Sequence, residues 1–163
     1  MKQKLFSTLV AVAIGILSVA AGEPEKLNLN VGNIENIHIV DGIDVVLIQA
    51  PYEDNAIVLD QLTSEKLNVE LSNKTLYIGK RAGKSKEKPV VHIYVNNLKN
   101  LTVNGGSDVK TFGTLKTGLL DVFVEGNSKV HIKTTGIVRP HSLNDAELKV
   151  TYLSKAEPAK KPY

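Results

Sequence analysis

The 163 residues include no cysteine and no tryptophan, and aromatic residues make up only 5% of them. The missing thiols exclude disulfide frameworks, thiolate zinc sites, iron–sulfur clusters, cysteine nucleophiles and the lipidated cysteine of a bacterial lipoprotein. Stability must come from apolar burial instead. Length permits that, because a single chain of about 150 residues removes roughly two-thirds of its unfolded surface from water. Long apolar runs are also scarce. The one example, Leu5–Ala20, follows the basic start Met1-Lys2-Gln3-Lys4 and ends at Val19, Ala20 and Ala21, before the polar Gly22-Glu23-Pro24-Glu25-Lys26. That is the order of a secretory signal peptide and its cleavage site. The run is short for a bilayer core that needs about 20 residues. Residues 1–21 are therefore predicted to be a cleaved signal peptide, 22–33 an N-terminal linker, 34–153 the folded domain and 154–163 a disordered polar tail. The mature chain is expected to be exported, with no transmembrane segment.

Charge of one sign is not spread through the domain. The net charge of +3 and pI near 9.0 owe two positive charges to Lys2 and Lys4 in the leader. Much of the rest lies in KRAGKSKEK (Lys80–Lys88) and in the tail. The remaining body reads as mildly acidic. A nucleic-acid partner, which calls for basic residues across a folded face with aromatics nearby, is not expected. The exposed loop residues Lys80, Arg81, Lys84, Lys86 and Lys88 are candidates for contact with an anionic surface such as polysaccharide or lipid headgroups. The plainer reading is a solvated loop that keeps a sheet edge soluble.

Helix signals are nearly absent, whereas apolar and polar residues alternate from Asn36 onward. Strands are predicted over Asn36–Val40, Ile43–Gln49, Ala56–Leu59 and VVHIYV (Val90–Val95), with a hairpin of Leu67–Leu71 and Thr75–Gly79. One helical turn is predicted near Gln61–Lys66, capped by Thr63 or Ser64. The second half repeats. VNGGSDV (Val103–Val109) matches VEGNSKV (Val124–Val130) at an offset of 21 residues, SLNDAELKV (Ser142–Val150) falls on the second copy at an offset of 18, and HIVDGIDVVL (His38–Leu47) has the same shape. Strand, tight Gly-containing turn, strand at a period near 20 predicts an all-β chain folded as a β-solenoid, in which stacked coils bury ladders of Val, Leu and Ile. A β-sandwich is the alternative.

Taken together, IHIVDGIDVVLIQ (Ile37–Gln49), Leu76-Tyr77-Ile78, VHIYVNNLKNLTVNGGSDV (Val91–Val109) and the second Gly-x-Ser-x-Val copy resemble the head GIN domain family, from about Ile34 to Val150. That family is described as putative auto-transporter adhesins and is common in Bacteroidetes. The resemblance implies a right-handed, single-chain β-solenoid, and a place in the periplasm or at the cell surface of a Gram-negative bacterium.

No constellation of catalytic residues stands out. His38, His92 and His131 each lie between two β-branched residues within strands, so they should face away from the core. With His141 they form no metal-ligand spacing. No cofactor or metal is expected. Ser107 and Ser128 lack a nucleophile elbow and read as turn serines. Asp44, Asp108 and Asp145 could line one edge if the coils stack in register, which is the arrangement a polysaccharide-acting enzyme would need. The plainer reading is turn carboxylates beside Gly or Asn. The leading expectation is thus an exported, non-enzymatic binding or structural module whose partner is a glycan or an envelope protein. The alternatives are a carbohydrate-active enzyme using the Asp edge, and a module that self-assembles through its ends.

Overall fold

Alternation becomes strand wherever the sequence displays it. The computed structural model describes residues 26–51, 55–81, 83 and 88–153. The expected signal peptide and polar tail lie outside the described residues. Strands β1 (Lys26–Asn30), β2 (Asn36–Ile39), β3 (Asp44–Gln49) and β4 (Ala56–Asp60) precede one helical turn, α1 (Gln61–Glu65). Then follow β5 (Leu67–Ser72), β6 (Thr75–Lys80), β7 (Val90–Val95), β8 (Asn100–Val103), β9 (Asp108–Phe112), β10 (Leu119–Val124), β11 (Lys129–Thr134), β12 (Ile137–Ser142) and β13 (Glu147–Tyr152). One expectation is corrected. Lys26–Asn30, assigned to the linker, is a strand paired antiparallel with β4, because its alternation gives it an apolar side from which Leu29 packs against the core. Thr63 and Ser64, expected at the cap, lie inside α1.

The strands form two mixed sheets and no closed barrel. Sheet A has the order β1-β4-β7-β3-β9-β11-β13, and sheet B the order β12-β10-β8-β2-β6-β5. The pairings among β2, β6, β8, β10 and β12 are parallel, as are those among β3, β7, β9, β11 and β13. Each passage of the chain thus lays one strand in sheet B and the next in sheet A. Inward residues of both sheets merge in one apolar cluster. Val91, Val45, Val109, Val130 and Leu148 are level with one another in sheet A. In sheet B the corresponding row is Leu76, Ile37, Leu101 and Val122.

The sequence offsets are the strand registers. Asp108 is level with Lys129, and Asn100 with Asp121, the same separation at which VNGGSDV matches VEGNSKV. Lys129 is level with Glu147, and Leu119 with Ile137, the shorter separation at which the third copy falls on the second. The corner between the sheets explains the shared motif. Asp41-Gly42, Gly105-Gly106, Gly126-Asn127 and Asn144-Asp145 all have positive φ, from 44° to 75°. Two successive left-handed residues turn the chain sharply, and Gly, Asn and Asp accept that conformation most cheaply. The serine after the corner is buried and ties neighbouring passages together. Ser107 Oγ accepts from the Ile43 N–H at 3.3 Å and donates to the Asn104 carbonyl at 2.9 Å, while Ser128 Oγ accepts from the Gly106 N–H at 3.2 Å.

Spatial order departs from chain order. The passage β2–β3 lies between β6–β7 and β8–β9, so the chain builds β4 to β7 before it returns to supply the level partners in β8 and β9. Asn36 is level with Thr75 but Asp44 with Val90, which makes the β6–β7 corner longer than the β2–β3 corner. The basic loop is that insertion. One end of the stack is closed by the antiparallel strands β5, β4 and β1 together with α1. At the other end, β12 directs Ile137 and Leu143 N–H groups toward β10. Pro140, of opposite parity, therefore puts its missing donor on the free edge, where it blocks further pairing. No helix among the described residues is long and apolar enough to cross a membrane.

Candidate functional site

Register decides which polar side chains share the outer face of sheet A. At the strand starts, Asp44, Asp108, Lys129 and Glu147 occupy one row on β3, β9, β11 and β13. Like charges directly opposite destabilise a sheet, so the neighbours Asp44 and Asp108 need a cation. Lys88, at the end of the inserted loop, supplies it. Its Nζ lies 2.9 Å from Asp108 Oδ2 and 3.7 Å from Asp44 Oδ1. The hydrogen bond to Asp108 is the main reason that the Lys88 ammonium is held above its usual range. Asp44 Oδ1 is buried under this arrangement and makes no hydrogen bond.

Two residues further on, the same face carries His92, Val46, Lys110, His131 and Lys149 in one row. A third row holds Tyr94, Ile48 and Phe112, and Lys133 follows His131 on β11. A shallow groove of about 340 Å³ crosses the first two rows and is lined by Asp44, Val46, Asp108, Lys110, Lys129 and His131, among others. This face thus combines an acidic pair bridged by Lys88 with exposed cations and aromatics.

Asp145 does not join the row. It is the second left-handed residue of the last corner, with φ 44°, and Glu147 takes the position level with Asp44 and Asp108. The proposed carboxylate edge is therefore a pair bridged by Lys88. Among the loop cations, Arg81 Nε donates to Asn68 Oδ1 at 3.3 Å, Lys80 ends β6 with a partner of its own, and Lys84 and Lys86 lie outside the described residues. Sequence reasoning missed Lys110, Lys129, Lys133 and Lys149. Their signal was present as the exposed alternate positions of DVKTF, KVHIKT and ELKV, but only the register brings them together.

On the outer side of sheet B, by contrast, several charges are paired. Arg139 Nε donates to Asp121 Oδ1 at 2.6 Å and its second nitrogen to Oδ2 at 2.5 Å. Glu35 accepts from Lys74 at 2.8 Å and from Lys99 at 2.9 Å. Asn100 Nδ2 donates to Asn36 Oδ1, and Asn36 Nδ2 to Thr75 Oγ1. His141 stacks on Phe123 with ring centroids 4.4 Å apart, and His38 lies 5.6 Å from the Tyr77 ring. The histidines face outward as expected. Among the described residues no three His, Asp or Glu side chains converge as a metal site.

Hydrogen bonds from Arg139 lower the Asp121 pKa, and those from Lys74 and Lys99 lower that of Glu35. A carboxylate depressed in the fold stabilises it above the unfolded pKa, and the gain disappears as pH falls through the lower folded value. Thermal stability should accordingly be flat from neutral pH down to about 4.5 and fall below it. In the Asp121→Asn, Glu35→Gln double variant that acid-side fall should be shallower. An unchanged acid limb in the double variant would remove these two groups from the explanation.

A model of the family described as putative auto-transporter adhesin, head GIN domain, matches residues 33–138. No curated protein matches. Among solved structures, the chain is similar to a putative adhesin from Parabacteroides distasonis, with TM-score 0.51 and 17% identity over 79% of this chain and 65% of that one. It thus spans about 65% of that relative's length. A putative adhesin from Bacteroides fragilis aligns with TM-score 0.49 and 16% identity over 70% of this chain and 59% of that one.

Proposed function

The chain belongs to the head GIN domain family, described as putative auto-transporter adhesins, and from that premise we propose that it is an exported, non-enzymatic binding or structural module of the bacterial cell envelope. The observation that carries this reading is the family match over residues 33–138. The apolar run and small residues of 1–21 support export. We read the two sheets as a short, flattened β-solenoid of five passages. Parallel pairing between like strands and a repeated left-handed corner favour that over a sandwich of hairpins, and its right hand rests on the family resemblance. The Lys88 bridge argues against the enzyme alternative. Acid/base work on a glycosidic bond needs a pair of carboxyl groups free to face the substrate, whereas Asp108 and Asp44 are both ion-paired with Lys88.

Cell fractionation and binding of the purified mature domain test the proposal. The protein should be recovered outside the cytoplasm with residues 1–21 removed, and labelled domain should be retained by envelope preparations. A full-length protein confined to the cytoplasm would refute export. Release of oligosaccharides from any polysaccharide tested, lost on Asp108→Asn substitution, would replace this reading with the enzymatic one.

A further inference from the structure

We propose that the outer face of sheet A binds an acidic polysaccharide, a polymer of carboxylated sugars, laid across strands β9, β11 and β13. The inference rests on the envelope-binding reading above and gives it a ligand class and a surface. Lys110, His131 and Lys149 are level on three adjacent strands. Lys129 and Lys133 flank His131 on β11, each two residues away and on the same face. All five side chains are exposed. None of the four lysines makes an ion pair among the described residues, in contrast to Lys74, Lys88, Lys99 and Arg139. The carboxylates on this face form no ion pair with them, although Asp108 and Glu147 both stand level with Lys129. Asp108 is committed to Lys88, and Glu147 stands level with Lys129 without forming an ion pair.

Lys110, Lys129, Lys133 and Lys149 gather on one face without an ion pair among the described residues, and a polyanion would supply the counter-charge. Adjacent strands lie about 4.8 Å apart, a step comparable to one pyranose ring, so successive acidic sugars can meet successive strands. The third row supplies the apolar counterpart. Phe112 is 72% exposed and level with Ile48, itself level with Tyr94. An aromatic ring open to solvent beside a cationic row suits a sugar, whose C–H face packs on the ring while its carboxylate reaches the ammonium. Single-stranded nucleic acid offers similar chemistry, but the reading of the chain as an envelope protein favours the glycan.

Affinity electrophoresis and calorimetry of the full chain, with polygalacturonate, neutral dextran and a single-stranded oligonucleotide as probes, test the proposal at low and moderate salt. Polygalacturonate should be bound and dextran not. Affinity should fall with salt at a log–log slope of about 3 for four lysine contacts. The Lys110→Glu, Lys149→Glu double variant should weaken binding by about tenfold or more, whereas Lys74→Gln should leave it unchanged. Thermal melts of the variants would verify that they remain folded. The proposal is overturned if polygalacturonate is not retained at low salt, if the double variant binds as the parent does, or if the oligonucleotide is preferred. If envelope retention persists when polygalacturonate fails, the ligand class falls and the envelope-binding reading stands.

Discussion

Replacing Gly105 with alanine should destabilise the protein by about 3 kcal/mol, while Gly106→Asn, one residue away, should cost less than about 1 kcal/mol. Both glycines are left-handed, with φ of 71° and 75°. A side chain in that conformation costs about 1–2 kcal/mol for most residues and less for Asn. The difference lies in the space around them. A Cβ on Gly105 would sit 2.6 Å from the Asp41 backbone nitrogen and 3.2 Å from its Cα, whereas nothing lies within 4 Å of a Cβ on Gly106. Asp41 belongs to the neighbouring corner, so the clash is between two backbones that cannot separate without disturbing the parallel pairing on either side. Overpacking of this kind adds about 1–3 kcal/mol. Thermal melting should show Gly105→Ala lowered by about 10 °C, with Gly106→Asn close to the parent. Asn127 already occupies the equivalent place in the next corner at φ 54°, which is why asparagine is the informative replacement. Equal melting points for the two variants would mean that close stacking of corners is not what excludes a side chain at 105.

Leu101→Ala should cost about 3 kcal/mol, within the range of about 2–5 found for buried leucine truncations. Leu101 has no exposed surface and sits mid-sheet, level with Ile37 on β2 and Val122 on β10. Its neighbours are held by backbone ladders on both sides and cannot collapse far into the space that truncation leaves. The control is Leu119→Ala, on the outer side of β10 and 44% exposed, which should change stability by no more than about 0.5 kcal/mol. Urea titrations should give a lower midpoint for Leu101→Ala at an unchanged slope. A cost no greater than that of Leu119→Ala would contradict a continuous apolar ladder through the stack.

These two sites also mark how far the fold was legible beforehand. The alternation around Leu101 and the glycines after Val103 were visible as a strand and a corner, and both repeat offsets proved to be registers. The strand at Lys26–Asn30 was not recognised, because KLNLN carries too short an alternation to separate from a polar linker. Among candidate site residues, Asp44 and Asp108 do meet. Asp145 looked equivalent from its motif, but the acidic residue level with them is Glu147, two positions further on. A motif match that tolerates Asn-Asp-Ala for Gly-Asn-Ser cannot tell a corner carboxylate from a strand carboxylate. In the basic loop, Lys88 bridges Asp44 and Asp108, and among the described residues further lysines without an ion pair lie on β9, β11 and β13.

By itself the sequence determined the all-β character, the places where the chain turns and the spacing that sets register. Each of these depends on local physics, namely period-two alternation and the low cost of φ > 0 at Gly, Asn and Asp. Only the tertiary structure decided that the β2–β3 passage inserts between two passages later in the chain, and that lysines from β9, β11 and β13 converge on one face. Those outcomes depend on which strand edges pair between segments far apart in the chain, such as β2 with β6 and β8, or β3 with β9. Backbone hydrogen bonds are alike in every candidate pairing, so the choice falls to the fit of whole apolar ladders. That fit is a property of the assembled stack, not of any segment in it.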